Sequence, residues 1–173
     1  MRFLAGLAMG LVMSVSVAVG ISSGAGAPAL DVPTTTTSTT VAATTTTIAA
    51  DDDARCPQWW NVAVSAGWEQ DDLRDLDEVL WRESRCDASQ VNASDPNIVD
   101  GVKGSVGLTQ VNVFWVQGTK WYPNGYLQTV SVVSGVQDLF DPFLNLRAAK
   151  AIFDYDRGEG GCGWRAWAWK GCD

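Results

Sequence analysis

Glu83 is the residue of this chain best placed to do proton chemistry, because it falls on the apolar side of a helical pattern. On a wheel of about 100° per residue with Leu73 at zero, Leu76 falls near 300°, Val79 near 240° and Leu80 near 340°. With Leu73 they mark a buried face. Arg74, Asp75, Asp77, Glu78, Arg82 and Arg85 fall between about 40° and 200° and mark a wet face. Glu83 falls near 280°, inside the apolar arc. A carboxylate held against apolar surface loses hydration, so its charged form is disfavoured and it can carry a proton near neutral pH. The alternative is that Glu83 emerges from the core with the helix end and pairs with an arginine. Asp72 lies near the same arc, but it stands in the first turn, where a capping role accounts for it.

Composition narrows the chemistry further. The chain has 173 residues, 46% of them hydrophobic, and no histidine. Without histidine there is no Ser-His-Asp or Cys-His site, no histidine-ligated zinc and no imidazole proton shuttle. Acid–base work must fall to a carboxylate. Twenty acidic against 12 basic side chains give a net charge of -8, which excludes general nucleic-acid binding through a basic face. Asp95 and Asp100 follow Glu83 in a loop and are candidates for positioning a water molecule. Their other reading is turn chemistry, since Asp95-Pro96 and Asp100-Gly101 are ordinary turn pairs. Among nine tryptophans, Trp59, Trp60 and Trp68 accompany a helix and suit a core. Trp115, Trp121, Trp164 and Trp167 are candidates for a groove that stacks on sugar rings.

Three zones organise the chain. Residues 1–30 carry Arg2, an apolar run and a small-residue stretch with Ala25-Gly26-Ala27, the pattern of a secretory leader. Uncleaved, the same run would serve as a membrane anchor, and Pro28 keeps that alternative open. Residues 31–55 are threonine-rich, lack hydrophobic periodicity and read as a disordered tether ending in Asp51-Asp52-Asp53. Residues 56–173 hold all the cysteines and tryptophans and form the folded domain. An exported chain with an even cysteine count reads as disulfide-bonded, and the expected location is extracellular.

Within that domain the expected fold is mainly helical, with at most a small β portion. A first helix runs from Pro57 to Ala66, stopped by Gly67. A second runs from Asp72 to about Arg85, acidic at its start and basic at its end. A third starts at Pro142 with Asp141 as N-cap and runs to about Tyr155. Residues 92–107 read as loop with a short hairpin at Asp100-Gly101, and residues 111–116 as either strand or helix. Cys56 opens the first helix and Cys86 follows the second. An antiparallel helix pair would join them, leaving Cys162 with Cys172.

The segment Trp81-Arg82-Glu83-Ser84-Arg85-Cys86-Asp87-Ala88, followed by Gly107-Leu108-Thr109-Gln110-Val111-Asn112, resembles the lytic transglycosylase family of the lysozyme-like superfamily, which includes goose-type lysozymes. Asp141-Pro142 with Asn145 resembles the family's next helix start. The resemblance covers roughly residues 56–169 and implies a lysozyme-like fold with a glycan cleft. It implies Glu83 as the catalytic acid/base, Ser84 beside it, Gln110 on the sugar's N-acetyl group and Asn112 in the same wall. The family's late Ala-Tyr-Asn-x-Gly motif is absent. Gly163-Trp164-Arg165-Ala166-Trp167 stands there instead, and Trp167 can supply the tyrosine's packing but not its hydroxyl. Residues 113–135 match nothing in the family pattern.

The implied partner is peptidoglycan, cleaved by a monomer without metal or organic cofactor. One carboxylate suffices for a transglycosylase that closes a 1,6-anhydro ring. A hydrolysing muramidase of the same fold would need a second, from Asp95 or Asp100. A non-catalytic wall-binding module, or a secreted structural protein on a threonine-rich stalk, would not need Glu83 at all.

Overall fold

The computed structural model describes residues 47–118, 123–168 and 172. Residues 1–46, which hold the expected leader and the first 16 residues of the segment read as a tether, lie outside them, as does Trp121. The described chain is mixed α+β, about half helical, with short antiparallel strands. Packing begins ahead of Cys56. Ile48, Ala50 and Ala54 are partly buried against the core, and Ile48 N donates to Asn61 Oδ1 at 2.8 Å. Asp51 and Asp53, at the end of the segment read as a tether, both pair with Arg74.

A 3-10 turn at Pro57–Trp59 leads into helix α1 (Trp60–Ser65). Another at Gln70–Asp72 leads into α2 (Leu73–Ser84), which buries Leu73, Leu76, Val79 and Leu80 as the wheel requires. The helix ends without a glycine. Arg85 and Cys86 both take left-handed backbone, with φ of 57° and 66°, and Cys86 is bonded to Cys56. Cys162 is bonded to Cys172, so both pairings follow the sequence expectation.

Asp77 of α2 corrects the wheel, and Asp72, just ahead of the helix, corrects the expected capping role. Asp77, placed on the wet arc, is 4% exposed. It accepts from Arg55 N at 2.7 Å, Cys56 N at 2.9 Å and Trp60 Nε1 at 2.9 Å. The chain entering the domain crosses this helix and covers it, and three donors offset the cost of burying the carboxylate. Asp72 makes no side-chain capping bond. Burial pushes its carboxyl above the ordinary value, and the positive charges of Arg157 and Lys150 only partly oppose this.

The small strands come next: β1 (Val91–Asn92), β2 (Ile98–Val99), β3 (Val102–Lys103), β4 (Ser105–Val106) and β5 (Val111–Asn112). β2 and β3 form the expected hairpin, with Asp100 and Gly101 at positive φ of 49° and 79°. That is the backbone of a type I′ turn, whose twist suits a two-residue hairpin. β1, β4 and β5 form an antiparallel sheet in which Val106 faces both Val91 and Val111. The segment read as strand or helix is both in succession. After β5, Asn112 accepts from Phe114 N at 2.9 Å and caps a 3-10 turn at Val113–Val116.

Helix α3 (Tyr126–Thr129) and a 3-10 turn at Val136–Phe140 precede α4 (Pro142–Gly158). Asp141 caps α4 by accepting from Leu144 N at 2.9 Å, and the helix runs three residues beyond the expected Tyr155. Its buried side packs against α1 and the C-terminal tryptophans. Trp68 lies stacked on Trp164 at 5.3 Å and 15°, and Phe153 closes the cluster at 4.7 Å from Trp164. Trp68 Nε1 donates to Leu146 O at 2.9 Å, so its one polar atom is satisfied.

The raised pKa of Asp72 means that its ionised form opposes folding. This penalty is absent below the unfolded value of about 3.9. It grows as pH rises through the folded value and stays constant above it. Asp72→Asn is therefore expected to melt at a higher temperature than the wild type at pH 7. At about pH 3 the two melting temperatures should converge. Calorimetry at both pH values checks this, and an equal offset at both would contradict it.

Candidate active site

A cleft of about 300 Å³ opens beside the C-terminal turn of α2, lined among others by Glu83, Asn92, Gln110, Asn112, Trp115 and Trp167. Glu83 stands at its edge with 27% of its side chain exposed. Arg82, read as a wet-face residue, donates to Glu83 Oε1 from Nη2 at 2.8 Å and from Nε at 3.1 Å. It also donates to the backbone carbonyl of Trp167. Glu83 therefore lines the cleft and pairs with an arginine, as its alternative reading expected.

Gln110, the cleft-lining residue at the end of the Gly107–Gln110 turn, is positioned by that turn, and one buried side chain fixes the turn. Asn145 of α4 is fully buried and uses its whole amide. Its Oδ1 accepts from Thr109 N at 2.9 Å and Thr109 Oγ1 at 2.8 Å. Its Nδ2 donates to Val106 O at 3.0 Å and Leu139 O at 2.8 Å. Gly107 is required where it stands. Its φ is +78°, and a Cβ there would overlap Asn145 Nδ2 and come within 2.6 Å of Leu139 O. The spacing of Gly107-Leu108-Thr109-Gln110 and Asp141-Pro142-x-x-Asn145 thus has a physical cause: the second segment supplies the amide that shapes the first.

Gln110 holds left-handed backbone at φ 50°, a strained state that persists where surroundings over-determine it. Its Nε2 donates to Gln90 O at 3.0 Å and Gly107 O at 2.9 Å. Two carbonyls around one end of the amide fix which end is nitrogen. The other end, Oε1, is buried and has no protein partner. A buried acceptor without a donor is costly, and this one belongs to a residue that lines the cleft.

Trp167 closes the site from the C-terminal side. It is buried, and its Nε1 donates to Thr109 O at 2.8 Å. Its loop is held by Asp156 of α4, which accepts from Gly163 N at 2.7 Å and from the Arg165 guanidinium. Burial pushes the Asp156 carboxyl up, but the Gly163 N–H and Arg165 outweigh it, so the group lies below the ordinary value.

The remaining expected residues fall elsewhere. Ser84 is buried and donates to Leu80 O at 3.0 Å, within its own helix, and it does not line the cleft. Asp95 accepts from Asn97 N at 2.8 Å in a local turn, and Asp100 sits exposed in the hairpin turn. Neither lines the cleft, so both serve the turn chemistry that was their other reading. Asn112 does line it, while its Oδ1 caps the following turn and accepts from Asn97 Nδ2 at 3.2 Å. Of the groove tryptophans, Trp115 and Trp167 line the cleft, and Trp164 belongs to the core. The bond from Arg82 to the Trp167 carbonyl carried no sequence signal, because a position on the wheel says nothing about a loop arriving 85 residues later. Among the described residues no cluster of acidic and cysteine side chains could hold a metal ion. Comparisons with protein-family models, curated proteins and solved structures find no match to the chain.

Asn145→Asp keeps the size of the side chain but replaces two donated bonds with repulsion between its oxygen and two carbonyls. It is expected to lower stability by at least about 3 kcal/mol, read from urea unfolding. A loss below about 0.5 kcal/mol would mean that the amide does not hold the turn.

Proposed function

We propose that the domain is a peptidoglycan-cleaving lytic transglycosylase of lysozyme-like fold, acting on the β-1,4 bond between N-acetylmuramic acid and N-acetylglucosamine. One observation carries the reading. Glu83 is the only carboxylate among the described cleft-lining residues, and it shares that cleft with Gln110, whose buried Oε1 has no partner. An N-acetyl sugar presents an amide N–H, the donor this oxygen lacks.

In this mechanism Glu83 gives its proton to the glycosidic oxygen as the bond to the muramic acid anomeric carbon breaks. The substrate's own N-acetyl group stabilises the oxocarbenium-like centre. Glu83, now ionised, takes the proton of the C6 hydroxyl, and that oxygen bonds to the anomeric carbon. A 1,6-anhydro ring closes and no water is consumed. Two-carboxylate hydrolysis needs a second acid in reach of the bond, and the turn positions of Asp95 and Asp100 favour the one-carboxylate route. Arg82 keeps its bond to the Trp167 carbonyl when Glu83 turns to substrate, so the guanidinium is not left without an acceptor. The two disulfides suit an oxidising compartment. A leader and a threonine-rich tether would place the domain in the cell wall.

Mass spectrometry of glycan fragments released from purified peptidoglycan by the full chain tests this. Fragments one water lighter than reducing-end sugars are expected. Glu83→Gln should lower their release by about 10²–10⁴-fold, the usual contribution of a general acid–base group. Reducing-end fragments would mean hydrolysis. No release by the wild type, with the protein still pelleting with the wall, would leave a binding module.

A further inference from the structure

A second cavity of about 270 Å³ adjoins the cleft, lined by Phe114, Trp115, Gln117, Asn124, Tyr126 and Tyr155 among others. Trp115 walls both cavities. Helix α4 joins them too: Ile152 lines the first and Tyr155, one turn on, lines the second. The rings form a connected cluster. Trp115 meets Phe114 at 5.6 Å, Tyr126 at 5.7 Å and Tyr155 at 6.1 Å, and Tyr126 meets Tyr155 at 4.9 Å.

The cluster is seated by close packing. A Cβ on Gly125 would lie 2.5 Å from Trp115 O, so the turn carrying Phe114 and Trp115 rests directly on the start of α3. Tyr126 Oη donates to Ala151 O at 3.3 Å and ties the cluster to α4. Gln117 and Asn124 bridge each other across the rim. Yet Phe114 is 55% exposed and Tyr155 46% exposed, although large apolar rings gain most from leaving water.

We propose that this cavity is a distal glycan subsite, which binds an N-acetylhexosamine unit of the same strand beyond those held at Glu83. The inference rests on the glycan reading of the cleft. Three features favour a sugar over other occupants. The lining pairs flat aromatic faces with side-chain amides, matching the apolar face and the hydroxyl edge of a pyranose ring. It holds no charged side chain among the described residues. It also adjoins the cleft, with Trp115 lining both, which suits one extended chain occupying the two.

The test is calorimetric titration of full-length Glu83→Gln protein with the tetramer and hexamer of N-acetylglucosamine, so that binding is read without turnover. The hexamer is expected to bind about tenfold more tightly than the tetramer. Adding Tyr155→Ala or Phe114→Ala should remove that gain and leave tetramer affinity unchanged, whereas Tyr155→Phe should keep it. Both altered side chains are exposed, and thermal melts verify folding. A hexamer gain that survives both alanine variants, no gain at all, or no binding of either oligomer overturns the subsite. So does a dimer that dissociates with Tyr155→Ala, which would assign the face to a second copy. Failure of cleavage by the wild type with the length-dependent gain intact would remove the transglycosylase reading alone. Cleavage without the gain would remove the subsite alone.

Discussion

The site depends on one buried amide. Asn145 meets the Gly107–Gln110 turn from inside α4, and each of its polar atoms is bonded where no water can substitute. In such surroundings an amide is either fully paired or strongly destabilising, which makes the arrangement all-or-none. Thr109 is held from both sides, by Asn145 on its N–H and hydroxyl and by the Trp167 indole on its carbonyl. Gln110 inherits its position from that clamp. Its strained backbone and its unpartnered oxygen are consequences of a turn that cannot relax.

The carboxylate arrives from the other side of the molecule by a separate route. Asp77 and the Cys56–Cys86 bond hold the entering chain across α2. Glu83 sits on the last full turn before the left-handed break at Arg85 and Cys86. Arg82 couples the two halves, because one guanidinium touches both the carboxylate and the carbonyl of Trp167. Acid, acceptor and aromatic wall therefore share a chain of contacts running from Asn145 through Thr109, Trp167 and Arg82 to Glu83.

Much of this was legible in the sequence where the cause is local. The periodicity of Leu73, Leu76, Val79 and Leu80, the Asp141-Pro142 start of α4 and the Asp100-Gly101 hairpin all carry their reasons within a few residues. What was not legible depends on distant chain. Asp77 reads as solvated until the segment at Arg55 and Cys56 crosses it. Asp72 reads as a cap, yet its side chain caps nothing and loses water to its neighbours instead. Trp164 reads as a groove residue, but Trp68, from a far earlier segment, and Phe153 of α4 enclose it. Ser84 adjoins Glu83 in sequence and points elsewhere, because neighbours on a helix are separated by about 100°. Glu83, Gln110, Asn112 and Trp167 were each named from sequence, and the cleft that gathers them needs the fold.

The proposed glycan strand would bring an N-acetyl N–H to Gln110 Oε1, the buried and unpartnered acceptor of a residue that lines the cleft of Glu83. A crystal structure of Glu83→Gln protein with a bound N-acetylglucosamine oligomer tests it directly. The expected result is an N-acetyl N–H within about 3 Å of Gln110 Oε1, with Thr109 still bonded to Asn145. An oligomer bound elsewhere, or one in the cleft with Oε1 still unpartnered, would contradict it.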